Sequence, residues 1–107
     1  MGPRRTGVAW SEGAFRELEE AAEYIAQESP QAAARLLERL LEAGDSLAEL
    51  PKRGRVVREL GDPNVRELQV EPYRLVYAVR PSSVVILGIL HGRRDFDRWG
   101  REGSTKE

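Results

Sequence analysis

Five arginines and the single histidine of the chain stand near predicted strand ends: Arg55, Arg66, Arg74, His91, Arg93 and Arg94, with Tyr73 and Tyr77 close by. Guanidinium groups beside an imidazole can grip a phosphodiester and stabilise the charge that develops as it is cleaved. Such chemistry also needs a base and an acid, and Glu59, Glu67 and His91 are the candidates in reach. Each residue has a plainer role open to it. Arg66 beside Glu67 and Arg58 beside Glu59 could be halves of cross-strand ion pairs, worth about 0.2–1 kcal/mol each. Tyr73 and Tyr77 share a strand face with Leu75 and Val79, where packing is their simplest use. His91 could be a surface residue, and Arg93 and Arg94 could keep the chain end soluble.

Other chemistries lack their residues. The 107-residue chain has no cysteine, which removes disulfides, thiolate catalysis and cysteine-ligated metal. With one histidine a metal would have to rest mainly on carboxylates, and no such cluster is seen, so neither metal nor cofactor is expected. There is no glycine-rich phosphate loop, nucleophile elbow or metalloprotease helix. Ser82 and Ser83 read as turn residues. No apolar run approaches the ~20 residues of a membrane span, and the start, Met1 to Gly7, does not look like a secretory leader. A single cytoplasmic domain over residues 1–107 is expected, with its core at about 8–94 and a tail at 95–107. The net charge of −1 hides a split. Residues 12–50 carry ten acidic and three basic side chains, while residues 51–107 carry twelve basic and eight acidic. The split can mean two functional faces, the basic one suited to phosphate or an acidic partner, or simply two solvated faces of opposite sign.

The elements that must position these side chains can be read from periodicity. Val8, Ala9 and Trp10 form a short strand, and Ser11 offers an N-cap. From Gly13 to Glu28, Phe15, Leu18, Ala22 and Ile25 recur as one apolar stripe, with Glu17, Glu19, Glu20 and Glu23 as a solvated face. Ser29-Pro30 opens a second helix running to about Leu50, in which Gly44 marks close packing or a bend, and Pro51 ends it. The two should pack as an antiparallel hairpin. Lys52-Arg53-Gly54-Arg55 is a basic loop, and Val56-Val57 a short extended piece. Strands follow over Val65–Val70, Tyr73–Val79 and Val84–Leu90, the last buried on both faces. Phe96 and Trp99 sit at helical spacing in a short C-terminal helix. The fold class is α+β: an N-terminal strand at an edge, a helical hairpin on a mainly antiparallel four-stranded sheet, and that final helix.

Val8-Ala9-Trp10-Ser11 precedes the first helix, Ala21-Ala22-Glu23-Tyr24-Ile25-Ala26 closes it, and Ser29-Pro30 opens the second. Leu50-Pro51 with Gly54-Arg55 and Glu59, Val65-Arg66-Glu67-Leu68, Tyr73-Arg74-Leu75-Val76-Tyr77 and Ile89-Leu90-His91-Gly92-Arg93-Arg94 follow. Over about Val8 to Arg94 the chain resembles the RelE/ParE superfamily of toxins from bacterial type II toxin–antitoxin modules, once labelled plasmid-stabilisation proteins. The resemblance implies a compact antiparallel sheet behind a helical hairpin, and a co-expressed antitoxin that wraps the functional face. Operator DNA would be met only through that antitoxin, and no membrane is implied.

The superfamily divides in activity. ParE-like members poison DNA gyrase, and RelE-like members are ribosome-dependent endoribonucleases that cut messenger RNA. The ending Leu90-His91-Gly92-Arg93-Arg94 and the loop Pro51-Lys52-Arg53-Gly54-Arg55 look more like the ParE branch. Nuclease members commonly place a tyrosine or a further catalytic residue close after the last strand; here Gly92 follows His91 directly and the next aromatics are Phe96 and Trp99. The favoured expectation is a gyrase inhibitor with Arg55, Arg66, Tyr73, Arg74, Arg93 and Arg94 as its target-binding residues. In the nuclease alternative, the ribose 2′-hydroxyl attacks the adjacent phosphate. Glu59 or Glu67 would then be the base, Arg66 and Arg74 the transition-state clamps, and His91 the acid. A third expectation is an inert module that only binds its antitoxin.

Overall fold

A computed structural model describes residues 6–92. The chain forms β1 (Gly7–Trp10), α1 (Glu12–Ala26), α2 (Pro30–Ser46), β2 (Arg55–Val56), a 3-10 turn (Arg58–Leu60), β3 (Val65–Val70), β4 (Tyr73–Val79) and β5 (Ser83–His91). The strands make one sheet in the order β1-β5-β4-β3-β2. Only β1 on β5 is parallel, and the other three pairings are antiparallel. The α+β architecture is as expected, with β1 at an edge. The sheet has five strands rather than four, because the short extended piece after the basic loop joins it: Arg55 pairs with Glu67 and Val56 with Arg66.

Local sequence sets the helix starts. The Ser11 hydroxyl accepts the Ala14 amide at 3.0 Å and the Ser29 hydroxyl accepts the Ala32 amide at 3.1 Å, with Pro30 in the first turn of α2. The α1 stripe differs from the one expected. Ala14, Leu18 and Ala21 are buried and Ile25 packs on them, whereas Phe15 is 51% exposed. Positions 14, 18, 21 and 25 lie in one line down the helix, and Phe15 is rotated off it by one residue. The second helix ends at Ser46, earlier than Leu50. Its last turn presses on the sheet through Gly44, where a Cβ would come within 2.9 Å of Ile86 and 3.1 Å of Trp10. The chain then turns so that Leu47 is fully buried.

The hairpin covers one sheet face. Leu18, Leu36, Leu40 and Leu47 meet Val70, Tyr73, Leu75, Tyr77, Val84, Ile86 and Ile89. Each fully buried side chain of this size contributes about 1.5–3 kcal/mol. On the opposite face Val57, Val65, Val76, Ala78 and Leu90 form a second cluster with Leu60 and Leu87. Two-residue alternation therefore splits β4 as expected, and β5 is buried on both sides. The β4–β5 ladder carries a bulge: Tyr77 pairs with Ile86 and Val76 with Gly88, leaving Leu87 as the extra residue. The expected C-terminal helix lies outside the described residues.

Candidate functional site

The candidate side chains fall into three groups, set by face and by position along the strands. On the face away from the helices, Glu67 and Arg74 are both nearly inaccessible. The Arg55 Nε lies 3.2 Å from one Glu67 carboxylate oxygen, and the Arg74 Nη1 lies 3.3 Å from the other. The first contact is a hydrogen bond; the second is an ion pair without hydrogen-bond alignment. Arg55 leaves most of its side chain in solvent. Glu67 is thus a buried carboxylate held between two guanidinium groups, with both oxygens engaged by charge.

Arg66 faces the other way, opposite Tyr77. Its Nη1 donates to the Gly54 carbonyl at 2.7 Å and to the Lys52 carbonyl at 3.2 Å. The Tyr77 hydroxyl accepts the Gly54 amide at 2.9 Å. Arg53 donates to the Ser46 hydroxyl at 2.9 Å. The basic loop is therefore tied down from three directions, and it presents Lys52, Arg53 and Arg55 at an exposed edge. Burial raises the Tyr77 hydroxyl pKa, while the Gly54 amide and the Arg66 and Arg53 charges pull it back. Gly54 is required by the fit: a Cβ would lie 2.6 Å from the Glu67 carbonyl oxygen and 2.7 Å from the Tyr77 hydroxyl.

At the far end of the sheet His91 pairs with Tyr73. The rings meet edge to face, with centroids 5.1 Å apart and an interplanar angle of 77°. Burial, and then Tyr24, raise the Tyr73 hydroxyl pKa. Gly92 takes a left-handed φ of 66° as the strand ends, and its amide donates to the Pro72 carbonyl at 3.1 Å. Arg39 reaches from α2 to the Glu71 carbonyl at 3.0 Å.

This geometry separates residues that the nuclease alternative needs together. Arg66 and Arg74 lie on opposite faces, three rungs apart, so they do not converge as two clamps on one phosphate. Glu59 sits in the exposed 3-10 turn at the Val65 end, while His91 ends β5 at the Val70 end. Five rungs of strand, about 16 Å at ~3.3 Å per residue, lie between them. Glu67 is near neither end and is closed in by its arginines. Arg93 and Arg94 lie outside the described residues. Among the described residues no group of three or more acidic, histidine or cysteine side chains is placed to hold a metal.

Glu17 departs from the solvated face expected of the α1 glutamates. Glu17 is half-buried, and its Oε1 accepts the Ile89 amide at 2.9 Å. A signal was present: Glu17 is one turn from Ala21, beside the line of Ala14 and Leu18 that enters the core.

A family model described as the ParE toxin of the type II toxin–antitoxin system parDE matches residues 8–96. Toxin RelE2 of Caulobacter vibrioides is 43% identical over 88 residues, covering 81% of this chain and 96% of the relative. The chromosomal ParDE toxin–antitoxin structure from P. aeruginosa superposes with a TM-score of 0.71 at 21% identity, over 84% of this chain and 99% of that one. The RelBE2 toxin–antitoxin complex of Mycobacterium tuberculosis gives 0.54 at 25% identity, over 81% and 91%. With the strand order, the hairpin and the matched span in agreement, the chain belongs to the ParE toxin family of type II toxin–antitoxin systems, within the RelE/ParE superfamily.

Proposed function

We propose that this toxin arrests growth by binding DNA gyrase and blocking replication, with no bond cleavage of its own, and that a cognate antitoxin neutralises it in the cytoplasm. The observation that carries the reading is the dispersal of the acid, base and cationic groups. Catalysis of strand cleavage needs them converging within hydrogen-bond reach of one phosphate. Here Arg66 is spent on the Lys52 and Gly54 carbonyls, Glu67 is closed between Arg55 and Arg74, and Glu59 and His91 stand at opposite ends of the sheet. A docking surface has no such requirement: exposed cations on a fixed loop and an aromatic pair at the sheet end can each contribute separately. Arg55, Arg93 and Arg94 are the proposed target contacts together with His91, the exposed half of the aromatic pair, and Arg66, Tyr73 and Arg74 support them from within the sheet.

The two superposable toxin–antitoxin assemblies support an antitoxin as the protein partner. Its acidic or apolar segment would lie along the edge that presents Arg55. Operator DNA would be engaged only through the antitoxin.

The name of the Caulobacter relative favours a second reading, ribosome-dependent cleavage of messenger RNA. Pulse-labelling of DNA and protein synthesis, minutes after inducing the chain in bacteria lacking the antitoxin, separates the two. DNA synthesis stopping first while translation continues is the expected result. Early collapse of translation with cut messenger RNA refutes the gyrase reading, and unchanged synthesis of both refutes an active toxin.

A further inference from the structure

The two ends of β5 obey different registers, and the change falls where β1 stops. The parallel ladder closes at Trp10 opposite Ile86, after which the Ser11 amide donates to the Ile86 carbonyl at 2.9 Å. The next residue of β5, Leu87, is the bulge. Its carbonyl accepts the Ser11 hydroxyl at 3.4 Å, and two residues on the Ile89 amide donates to Glu17 at 2.9 Å. Beyond Ile86, therefore, α1 takes over from β1 as the hydrogen-bonding neighbour of β5, and the Glu17 carboxylate stands where a strand carbonyl would be.

The bulge decides which residue meets Tyr73. With Leu87 set aside, Ile89 pairs with Leu75, Leu90 with Arg74 and His91 with Tyr73. Continued in the register of its first half, β5 would put Ile89 opposite Arg74 and Leu90 opposite Tyr73. Every side chain after Leu87 would then change faces.

We propose that Glu17 is a positioning residue: by accepting the Ile89 amide it holds the β5 bulge and so places His91 against Tyr73 at the end of the sheet. The geometry stands by itself. Its bearing on growth arrest rests on the reading that this sheet end faces the target. Burial raises the Glu17 pKa most, the Ile89 amide lowers it, Glu20 raises it and Arg16 lowers it. Both of those charges belong to α1, while Ile86 to Leu90 carry no titratable side chain and His91 is the first one reached along β5.

The test is NMR on the labelled toxin at neutral pH, comparing Glu17→Gln and Glu17→Ala. The glutamine oxygen can still accept, so E17Q should keep the protected Ile89 amide and the nuclear Overhauser contact between the His91 and Tyr73 rings. E17A should speed Ile89 exchange about ten- to hundredfold and lose the ring contact. E17A retaining both overturns the proposal. Should E17A not fold, the wild type decides. The Ile89 amide shift should titrate with the Glu17 side-chain carboxyl carbon and share its midpoint, a step missing from E17Q. An Ile89 amide that follows the His91 ring instead overturns it. None of these readouts depends on whether DNA synthesis or translation stops first, so a failure here is distinct from failure of the gyrase reading.

Discussion

Gly54 is the point where loop, sheet and buried tyrosine meet, and Gly54→Ala tests whether the basic loop is built rather than merely connecting. An added Cβ would fall 2.6 Å from the Glu67 carbonyl oxygen, 2.7 Å from the Tyr77 hydroxyl and 3.0 Å from Tyr77 Cε1. One of these atoms is β3 backbone and the other two belong to a fully buried ring, so neither side yields cheaply. Relief by moving the loop outward stretches the Gly54 amide bond to Tyr77 and the Arg66 contact to the Gly54 carbonyl. Overpacking of this kind costs about 1–3 kcal/mol, and a lost hydrogen bond adds about 1 kcal/mol. A total of about 2–4 kcal/mol in a domain of this size lowers the melting temperature by roughly 10–20 °C. Thermal unfolding followed by circular dichroism reads it directly. Gly13→Ala is the internal control, since nothing lies within 4 Å of a Cβ there and α1 should gain about 0.5–1 kcal/mol. A G54A protein melting within about 2 °C of wild type would refute the anchored loop.

The remaining perturbations separate stability from docking. Arg74→Glu puts a like charge beside buried Glu67 and should cost about 3–5 kcal/mol in urea unfolding, so it reports on folding before it reports on any partner. Arg55→Ala takes a mostly exposed guanidinium from a buried carboxylate that keeps Arg74, so it should cost about 1–3 kcal/mol of stability and weaken antitoxin binding by the folded protein; unchanged affinity in calorimetry would move the antitoxin off this edge. The raised Glu17 pKa means the folded chain binds that proton more tightly than the unfolded chain. Its stabilising effect is full in acid below the ordinary glutamate range and lost as pH rises through the folded pKa. E17Q should therefore gain on wild type as pH rises from about 4 to 7, and parallel pH–stability curves would refute this. On the gyrase reading, Arg55→Ala and His91→Ala, which act on opposite faces of the sheet, should lose supercoiling inhibition of purified gyrase multiplicatively, to within about twofold. One variant abolishing the inhibition with the double no worse would refute independent contacts on the two faces.

The sequence made the frame legible where one residue type has one physical use. Ser11 and Ser29-Pro30 mark helix starts because hydroxyl caps and a proline first turn satisfy free amides there. Alternation in Tyr73 to Val79 sorted β4 between its two faces. Three features were not legible, each because the deciding contact is distant in the chain. Two residues of β2 are too short for periodicity, and only pairing with Glu67 and Arg66 makes them a strand. The Leu87 bulge leaves no mark in a run that is apolar on both faces. Phe15 and Ala14 compete for the same stripe, and the closeness of the helices to the sheet, also seen at Gly44, selects the smaller one.

The separation of Arg66 from Arg74, by contrast, was already implied by alternation. Arg66 shares its face with Leu68 and Val70, which pair with Leu75 and Tyr73, and Arg74 lies between those two on β4. Any antiparallel pairing that buries both apolar rows together sends the two arginines to opposite sides of the sheet. The consequence reaches function. A sheet residue can join a catalytic set only with partners on its own face, and each face here holds one of the two arginines already committed: Arg66 to the loop carbonyls, Arg74 to Glu67. What those commitments leave outward is the loop itself, with Lys52, Arg53 and Arg55 carried on a backbone that Tyr77 and Arg66 hold still. A charged surface preorganised in this way loses little on association and meets a complementary acidic protein face without rearranging. On the docking reading, Arg66 and Arg74 serve recognition by fixing the exposed cations, Arg66 through the loop carbonyls and Arg74 through Glu67, which Arg55 also meets.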